Sequence, residues 1–293
     1  MGSQVDTLRR GGFQTRPPHS LPPRPHKSMG QVFLVERSVL PSCFSFLNAG
    51  SQRAILEIGP GLGQATRSLL KTGAEVTAVE LDRRFAPTLA GLADENSSFH
   101  FHIADALSIS WDGLFDCPYS VFGNLPFYLS TALLEHLLES EGNWLRAVFL
   151  LQEEVTRRLL AGPGEEGYGA LSILAQLRAQ LSPGPSVSRR CFHPIPRVDS
   201  AFLFLERLSE PRVSVPNMKR FVALIHNAFA QRRKTLANNL IRMNPHFSRT
   251  QTANLLESVG IAEKRRGETL SLEEFARLAW SLEALLASLE GKP

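Results

Sequence analysis

The sequence has no long apolar run and few cysteines. None of its hydrophobic stretches approaches the roughly 18 residues of a membrane-spanning helix, so no membrane partner is expected. Cys43, Cys117 and Cys191 are isolated and form no CxxC pair, a pattern that excludes the common zinc motifs and disulfide frameworks. We therefore expect a chain without a metal in a reducing compartment, and the lack of targeting signals favours the cytoplasm. We separately expect a monomer.

The positive charge of the chain lies at its two ends. Of the 293 residues 43% are hydrophobic and 20% are charged, which is an ordinary globular composition. Residues 1–27 carry five Lys/Arg and one Asp/Glu. Residues 28–205 carry 13 Lys/Arg and 18 Asp/Glu, and residues 206–293 carry 14 Lys/Arg and nine Asp/Glu. The formal net charge of the whole chain is therefore +4. Basic ends around a mildly acidic middle favour a polyanionic partner.

Three segments differ in composition. Residues 1–27 are rich in Pro, Arg and Gly and predict a disordered basic tail. The many arginines leave a transit peptide for organellar import as an alternative, although the prolines argue against the helix that such peptides use. Residues 28–207 predict the main domain, and residues 208–293 predict a small helical domain after a proline-containing linker near residues 206–216.

Strands and helices alternate through the main domain. The pattern predicts strands at residues 54–58, 75–79, 99–103, 119–122 and 146–151, and helices at residues 35–47, 64–71, 85–92, 132–138, 152–159 and 170–181. Ser130 is expected to cap the helix at residues 132–138. Such alternation predicts an α/β fold with a parallel, doubly wound, Rossmann-like sheet, followed by helices from about Met218.

A Gly-rich turn, Glu57-Ile58-Gly59-Pro60-Gly61-Leu62-Gly63, follows the first of these strands. Its glycines, Gly59 and Gly61 among them, let the backbone approach a ligand closely. The dinucleotide pattern fails because Thr66 stands where a third glycine is needed, and no Gly-Lys-Ser/Thr is present for a P-loop. The turn therefore favours a nucleoside without phosphates, of which S-adenosylmethionine is the common one, over an oxidoreductase cofactor.

Polar side chains stand at the ends of the next strands. Glu80 can accept hydrogen bonds from both hydroxyls of a ribose, and Asp105 can accept one from an adenine amine. Each alone is more often a solvated strand cap. Because the carboxyl ends of parallel strands meet at one edge of a sheet, together with Asn124 they predict a nucleoside site there.

Asn124-Leu125-Pro126-Phe127 ends another strand and precedes a helix. The side-chain oxygen of Asn124 and the backbone carbonyl of Leu125, held extended by Pro126, can accept both N–H groups of an adenine amine. This would free the nitrogen lone pair for attack on an electrophile. Phe127 offers a face for the flipped-out base. A simple strand-to-helix turn containing a proline is the alternative interpretation of this stretch.

Eight collinear motifs resemble the KsgA-type rRNA adenine N6,N6-dimethyltransferase family. Besides the motifs above, they comprise Gly30-Gln31-Val32-Phe33-Leu34, Tyr168-Gly169-Ala170-Leu171-Ser172, Phe192 to Ser200, and Phe229 to Leu236. The resemblance implies a class I methyltransferase that binds S-adenosylmethionine through positions 32, 34, 59, 80, 105 and 124 and releases S-adenosylhomocysteine.

The same resemblance implies the substrate and further residues. Two methyl groups are expected on each of two adjacent adenines near the 3′ end of small-subunit rRNA, within an immature small ribosomal subunit. Phe192 would sandwich the base opposite Phe127, with a core aromatic as the alternative. Val32 replaces the usual Asn of the family, and Phe127 replaces Tyr but keeps the stacking face.

A basic stretch, Arg232-Arg233-Lys234, lies in the helical domain and is expected to be part of a helix. With Arg189, Arg190 and Arg197 it could hold phosphates of folded RNA without reading sequence, or it could be a solvated helix face. Two competing functions stay open: a large-subunit rRNA methyltransferase of the antibiotic-resistance type, and a non-catalytic ribosome-assembly factor.

Overall fold

The computed structural model describes residues 31–36, 38–50, 53–126, 128–140, 142–244 and 247–290. The expected tail and Phe127 lie outside the described residues. The chain forms two compact units. The first comprises residues up to Thr156 together with Ser182–Arg207, and the second comprises Arg157–Leu181 together with the chain from Leu208 onward.

Nine strands are described. They are β1 (Phe33–Leu34), β2 (Ala54–Ile58), β3 (Glu75–Glu80), β4 (Phe99–Ile103), β5 (Tyr119–Asn124), β6 (Trp144–Gln152), β7 (Ala179–Val187), β8 (Phe192–His193) and β9 (Ser200–Arg207). Seven form one sheet in the order β4-β3-β2-β5-β6-β9-β7, and β1 pairs with β8 in a small antiparallel ladder. Strands β2 to β6 run parallel where they pair, and β9 runs antiparallel to β6. This confirms the predicted open α/β sheet and adds an antiparallel strand.

The parallel part of the sheet is buried on both faces. All five residues of β2 are buried, and so are the first five of β5. The helices that connect these strands are α1 (Leu40–Phe46), α2 (Gln64–Leu70), α3 (Ala86–Glu95) and α4 (Ser130–Glu139). Because helices cover both faces of such a sheet, its ligands bind where the strands end.

Two predicted helix starts are wrong. Helix α1 begins at Leu40 rather than Val35, because the backbone N–H of Val35 donates to the Cys191 carbonyl (2.8 Å) and prolongs the β1–β8 ladder. Ser130 is the first residue of α4, and Leu129 takes the N-cap position without a side-chain cap.

The predicted helix at residues 170–181 ends early. Helix α6 (Ala170–Arg178) stops at Arg178, and residues 179–187 form β7, which the sequence analysis missed. Pro183 and Pro185 cannot continue a helix, and proline is tolerated in a strand at the edge of a sheet. Gly184 allows close contact with β9, since a Cβ there would lie 2.7 Å from Cβ of Phe202.

The second unit consists mainly of helices. They are the end of α5 (Glu153–Leu160), α6, α7 (Met218–Ala230), α8 (Leu236–Met243), α9 (Arg249–Ser258) and α10 (Leu272–Glu290). The sequence analysis placed residues 157–181 in the first domain. They pack in the second unit, where the Tyr168 hydroxyl donates to the Leu270 carbonyl (2.9 Å). Within the described ranges, every helix is too short or too polar to cross a bilayer.

Candidate active site

The carboxyl ends of β2, β3, β4 and β5 meet at one edge of the sheet. Ile58 of β2 is in register with Val79 of β3 and Gly123 of β5, and Glu80 is in register with Ile103 of β4. A pocket that opens to solvent lies over this edge. It is lined by all the residues predicted to bind cofactor: Val32, Leu34, Gly59, Gly61, Glu80, Asp105 and Asn124.

The Gly-rich turn forms one wall of the pocket. Gly59 and Gly61 have φ values of 69° and 54°, a left-handed backbone that favours glycine. Open space lies around Gly59 where a Cβ would be, whereas a Cβ on Gly61 would lie 3.0 Å from Cε1 of Phe33. The turn therefore presents bare backbone to a ligand.

Glu80 is fixed by the backbone on both sides. Its Oε2 accepts from the N–H of Gly61 (2.9 Å) and its Oε1 from the N–H of Asp82 (2.8 Å). Burial raises the pKa of this carboxyl, and the two N–H groups oppose that rise. Each oxygen keeps a second lone pair, so the carboxylate can accept bonds from two neighbouring hydroxyls.

Asp82 ties the segment before β1 to the end of β3. Its carboxylate accepts from Nε of Arg84 (2.9 Å) and from Nε2 of Gln31 (2.9 Å). These hydrogen bonds, the one from Arg84 first, hold the pKa of Asp82 well below its usual range despite some burial. The sequence analysis assigned no individual role to Gln31, Asp82 or Arg84. The contact between Gln31 and Asp82 joins positions 51 residues apart, which no local pattern shows.

Asn124 is oriented by the segment that crosses the pocket. Its Nδ2 donates to the backbone carbonyl of Val32 (3.2 Å), so Oδ1 is left as the acceptor. The contact at position 32 is made by the backbone, and a valine therefore supports it as well as an asparagine would. The preceding residue, Gly123, has no room for a side chain, because a Cβ there would lie 2.7 Å from Cδ2 of Leu125.

Leu125 and Pro126 also line the pocket. The Pro126 carbonyl accepts from the N–H groups of Leu129 (3.0 Å) and Ser130 (3.1 Å), which starts α4. Among the described residues, no backbone N–H outside regular elements donates to the Leu125 carbonyl. Tyr128, 55% exposed, lines the same pocket and is an aromatic that the sequence analysis did not single out.

Phe192 is buried. It pairs with Leu34 in the β1–β8 ladder, is 2% exposed and belongs to the hydrophobic core around α1 and α3. The structure thus favours the core-aromatic alternative over an open stacking face. The nearby side chains of Ile195 (64% exposed) and Val198 (45%) are the apolar groups of this stretch that face solvent.

Arg197 lies in the exposed loop that follows β8. Its carbonyl accepts from Nη1 of Arg189 (3.2 Å), and the N–H of Arg189 donates to Oδ1 of Asp199 (2.8 Å). Arg189, Arg190 and Arg197 are exposed, so this loop presents cations to solvent.

The stretch Arg232–Lys234 is not helical, contrary to the prediction. It forms the turn after α7, because Thr235 caps the next helix by accepting from the N–H of Asn238. The N–H of Leu236 donates to the Arg265 carbonyl (2.8 Å), which brings a second basic stretch, Lys264–Arg266, beside the first. Sequence analysis missed this neighbour because about 30 residues separate the two stretches.

Five exposed cations of these two stretches form what we call the basic surface: Arg232, Arg233, Lys234, Lys264 and Arg266. Nε of Arg232 and Nη1 of Arg266 lie 3.4 Å and 3.9 Å from the carboxylate of Glu268. In the described part of the chain, no ion pair involves Arg233, Lys234 or Lys264. The surface therefore keeps a net positive charge.

The open α/β sheet, the glycine turn, the carboxylate at the end of β3 and the Asn-Leu-Pro stretch at the end of β5 define a class I methyltransferase that uses S-adenosylmethionine. A family model described as Ribosomal RNA adenine dimethylase matches residues 24–282. The chain belongs to this family, which confirms the resemblance found in the sequence.

Similar proteins agree with this result. The chain is 40% identical over 270 residues to ribosomal RNA small subunit methyltransferase A of Geobacter sulfurreducens, covering 91% of this chain and 98% of that protein. It is 38% identical over 256 residues to the protein of the same name from Clostridium botulinum, covering 87% of this chain and 92% of that protein.

Two solved structures share the fold. A dimethyladenosine transferase from Plasmodium falciparum superposes with a TM-score of 0.72 at 23% identity, covering 86% of this chain and 97% of that chain. The 23S rRNA methyltransferase ErmE superposes with a TM-score of 0.64 at 24% identity, covering 86% of this chain and 99% of that chain. At these identities the two structures support the fold alone.

Proposed function

We propose that this chain transfers methyl groups from S-adenosylmethionine to the N6 amines of two adjacent adenines near the 3′ end of small-subunit rRNA, as a step in small-subunit maturation. It acts as a monomer in the cytoplasm and needs no metal. The observation that carries the proposal is the oriented amide of Asn124, whose acceptor oxygen is left available in the pocket beside the glycine turn.

The residues present fit the cofactor. The carboxylate of Glu80 suits the two hydroxyls of a ribose, and the bare backbone at Gly59 leaves space for a ligand. Asp105 lines the pocket and can accept from an adenine amine, while its Oδ1 also accepts the N–H of Leu107 (2.9 Å). The bound cofactor supplies an electrophilic methyl group on a sulfonium.

The chain's own residues then prepare the adenine amine. Oδ1 of Asn124 and the carbonyl of Leu125 accept its two N–H groups, which favours a pyramidal nitrogen with a free lone pair. With the cofactor bound, the amine held by these two acceptors would take the methyl group from the sulfonium, and the amine proton would then leave to water. Catalysis comes mainly from alignment and from acceptors that are already in place.

Small-subunit rRNA is the favoured substrate. The relatives that are 37–40% identical over most of their length are named small-subunit methyltransferases. The alternative of a large-subunit enzyme has only the shared fold of ErmE in its favour. The alternative of a non-catalytic assembly factor offers no reason for the hydrogen bond that leaves Oδ1 of Asn124 as an acceptor at the pocket.

The function is tested by methyl transfer from labelled S-adenosylmethionine to immature small ribosomal subunits that lack the modification. We expect N6,N6-dimethyladenosine at two adjacent positions near the 3′ end of the rRNA. Large subunits from the same cells are the control substrate and should stay unlabelled. Label in the large subunit, or binding of cofactor without any transfer, would contradict the proposal.

The basic surface is expected to hold phosphates of the rRNA. Replacing both Arg233 and Lys234 by Ala should weaken binding to the immature subunit about tenfold and reduce the slope of log affinity against log salt by about two, since each phosphate contact contributes about one. Cofactor affinity should not change. The measurement is subunit binding across a salt series.

A matched control removes one Arg and one Lys elsewhere. Arg67 lies on α2 and Lys71 follows it directly, and both are exposed. Replacing both by Ala should leave the slope of log affinity against log salt unaltered. If both pairs of substitutions changed the slope equally, general charge rather than the basic surface would account for RNA binding.

A further inference from the structure

Glu57 is a buried carboxyl at the cofactor pocket for which the mechanism above has no use. It stands near the end of β2, directly before the glycine turn, is 2% exposed and lines the pocket. Within the described residues its Oε2 has no hydrogen-bond partner. A buried carboxylate is normally paired with a cation or hydrogen-bonded, so a positively charged ligand in the pocket would stabilise the ionised form of this carboxyl.

Among the described residues, no cation contributes to the electrostatics of Glu57. Its register partners in the sheet, Ala78 on β3 and Phe122 on β5, do not titrate. Thr66 faces it from α2 and Glu80 from β3. Burial raises the pKa of Glu57 to about 7; Thr66 opposes the rise, and the negative charge of Glu80 adds to it.

The methyl transfer changes the charge in this pocket by one. Before transfer the ligand carries a sulfonium, and after transfer the same sulfur is a neutral thioether, while the rest of the ligand keeps its charge. A carboxylate near the ligand is therefore stabilised by the substrate form and not by the product form.

We infer that Glu57 is a charge-responsive positioning residue: it is ionised when the pocket holds S-adenosylmethionine and takes up a proton from solvent when the pocket holds S-adenosylhomocysteine. This rests on the proposed function. The consequence is selectivity for the substrate form of the ligand, which helps an enzyme that must exchange product for new substrate between successive transfers.

The test is calorimetric binding of both ligands to the RNA-free protein, in two buffers of different ionisation enthalpy, between pH 6 and pH 8.5. Wild type should release more protons on binding S-adenosylmethionine than on binding S-adenosylhomocysteine near pH 7. Its preference for the first ligand should rise about tenfold with pH, as for an ion pair at an intermediate dielectric.

Glu57→Gln should flatten this pH dependence and remove the difference in proton release. The α-amino group of each ligand also titrates, but equally in both proteins, so the comparison of variants isolates Glu57. An analogue with a protonated amine in place of the sulfonium should behave like S-adenosylmethionine. Glu75→Gln is the matched control, because it removes an exposed carboxyl at the opposite end of β3 from Glu80. Its proton release and pH dependence of binding should equal those of wild type.

Each outcome has a distinct meaning. Binding of both ligands with the same proton count in wild type would overturn the inference alone, and so would a difference that persists in Glu57→Gln. Binding of neither ligand would overturn the assignment of the cofactor in the proposed function, and the inference with it.

Discussion

Asn124→Ala is expected to lower methyl transfer about 10²–10³-fold at saturating cofactor, the usual cost of removing one pre-positioned polar group that stabilises a transition state. The variant lacks the acceptor that holds the amine, so the nitrogen keeps its lone pair in the ring. Cofactor affinity should fall much less, because Glu80 and the glycine turn are untouched. Some loss is expected, since the amide also holds the Val32 carbonyl. Single-turnover rates and calorimetric affinities separate the two effects.

Asn227→Ala provides the comparison for this experiment. Asn227 lies on α7 in the second unit, where its exposed amide donates to the Ala223 carbonyl, so the substitution removes the same group from a surface helix. This variant should transfer methyl groups at the wild-type rate. Wild-type turnover in Asn124→Ala would refute the role of the amide, and an equal loss of rate and affinity would reduce that role to cofactor binding.

The part of the site that sequence could predict is the part set by strand order. Glu80 and Asn124 end β3 and β5, Asp105 follows β4 closely, and the ends of parallel strands must meet at one edge. The spacing of the glycines is by itself enough to exclude the phosphate-binding turns. Local patterns therefore predicted the parallel sheet, the position of the pocket and the polar residues at the strand ends that line it.

The rest depends on contacts between distant positions. The sequence pattern did not show that Phe192 is buried, because an aromatic beside prolines and arginines is typical of both a core and a binding surface. Nor did it show that Gln31 reaches Asp82, or that Lys264–Arg266 lies beside Arg232–Lys234, since single backbone and side-chain hydrogen bonds join these segments. Such contacts follow from tertiary packing and leave no period in the sequence.

The segment before α1 illustrates this dependence most clearly. Sequence favoured a helix from Val35, yet Phe33 and Leu34 pair with β8, and Gln31 and Val32 bond to Asp82 and Asn124. Contacts with β8, Asp82 and Asn124 thus hold this segment at the pocket. A strand of two residues has too little periodicity to be predicted, although the segment that contains it holds the Asn124 amide.

Glu57→Gln is expected to change how the stability of the ligand-free protein depends on pH. The folded pKa of Glu57 is about 7 because of burial, against an ordinary value of 4.5. Between these values the folded state binds more protons than the unfolded state, so the free energy of unfolding falls as the pH rises. This loss of unfolding free energy is absent below about pH 4.5 and complete above about pH 7, where it amounts to about 3 kcal/mol. Gln cannot ionise and should not show this fall.

The readout is the difference in unfolding free energy between wild type and Glu57→Gln, measured by urea denaturation from pH 4.5 to pH 8.5. The slope of that difference matters rather than its offset, since the buried amide of Gln brings its own unpaired donors. Glu75→Gln, which removes an exposed carboxyl, should follow wild type throughout. A constant difference across the range would show that Glu57 is ionised in the ligand-free fold at every pH tested. The ligand-free fold would then already carry the energetic cost of a buried, ionised Glu57.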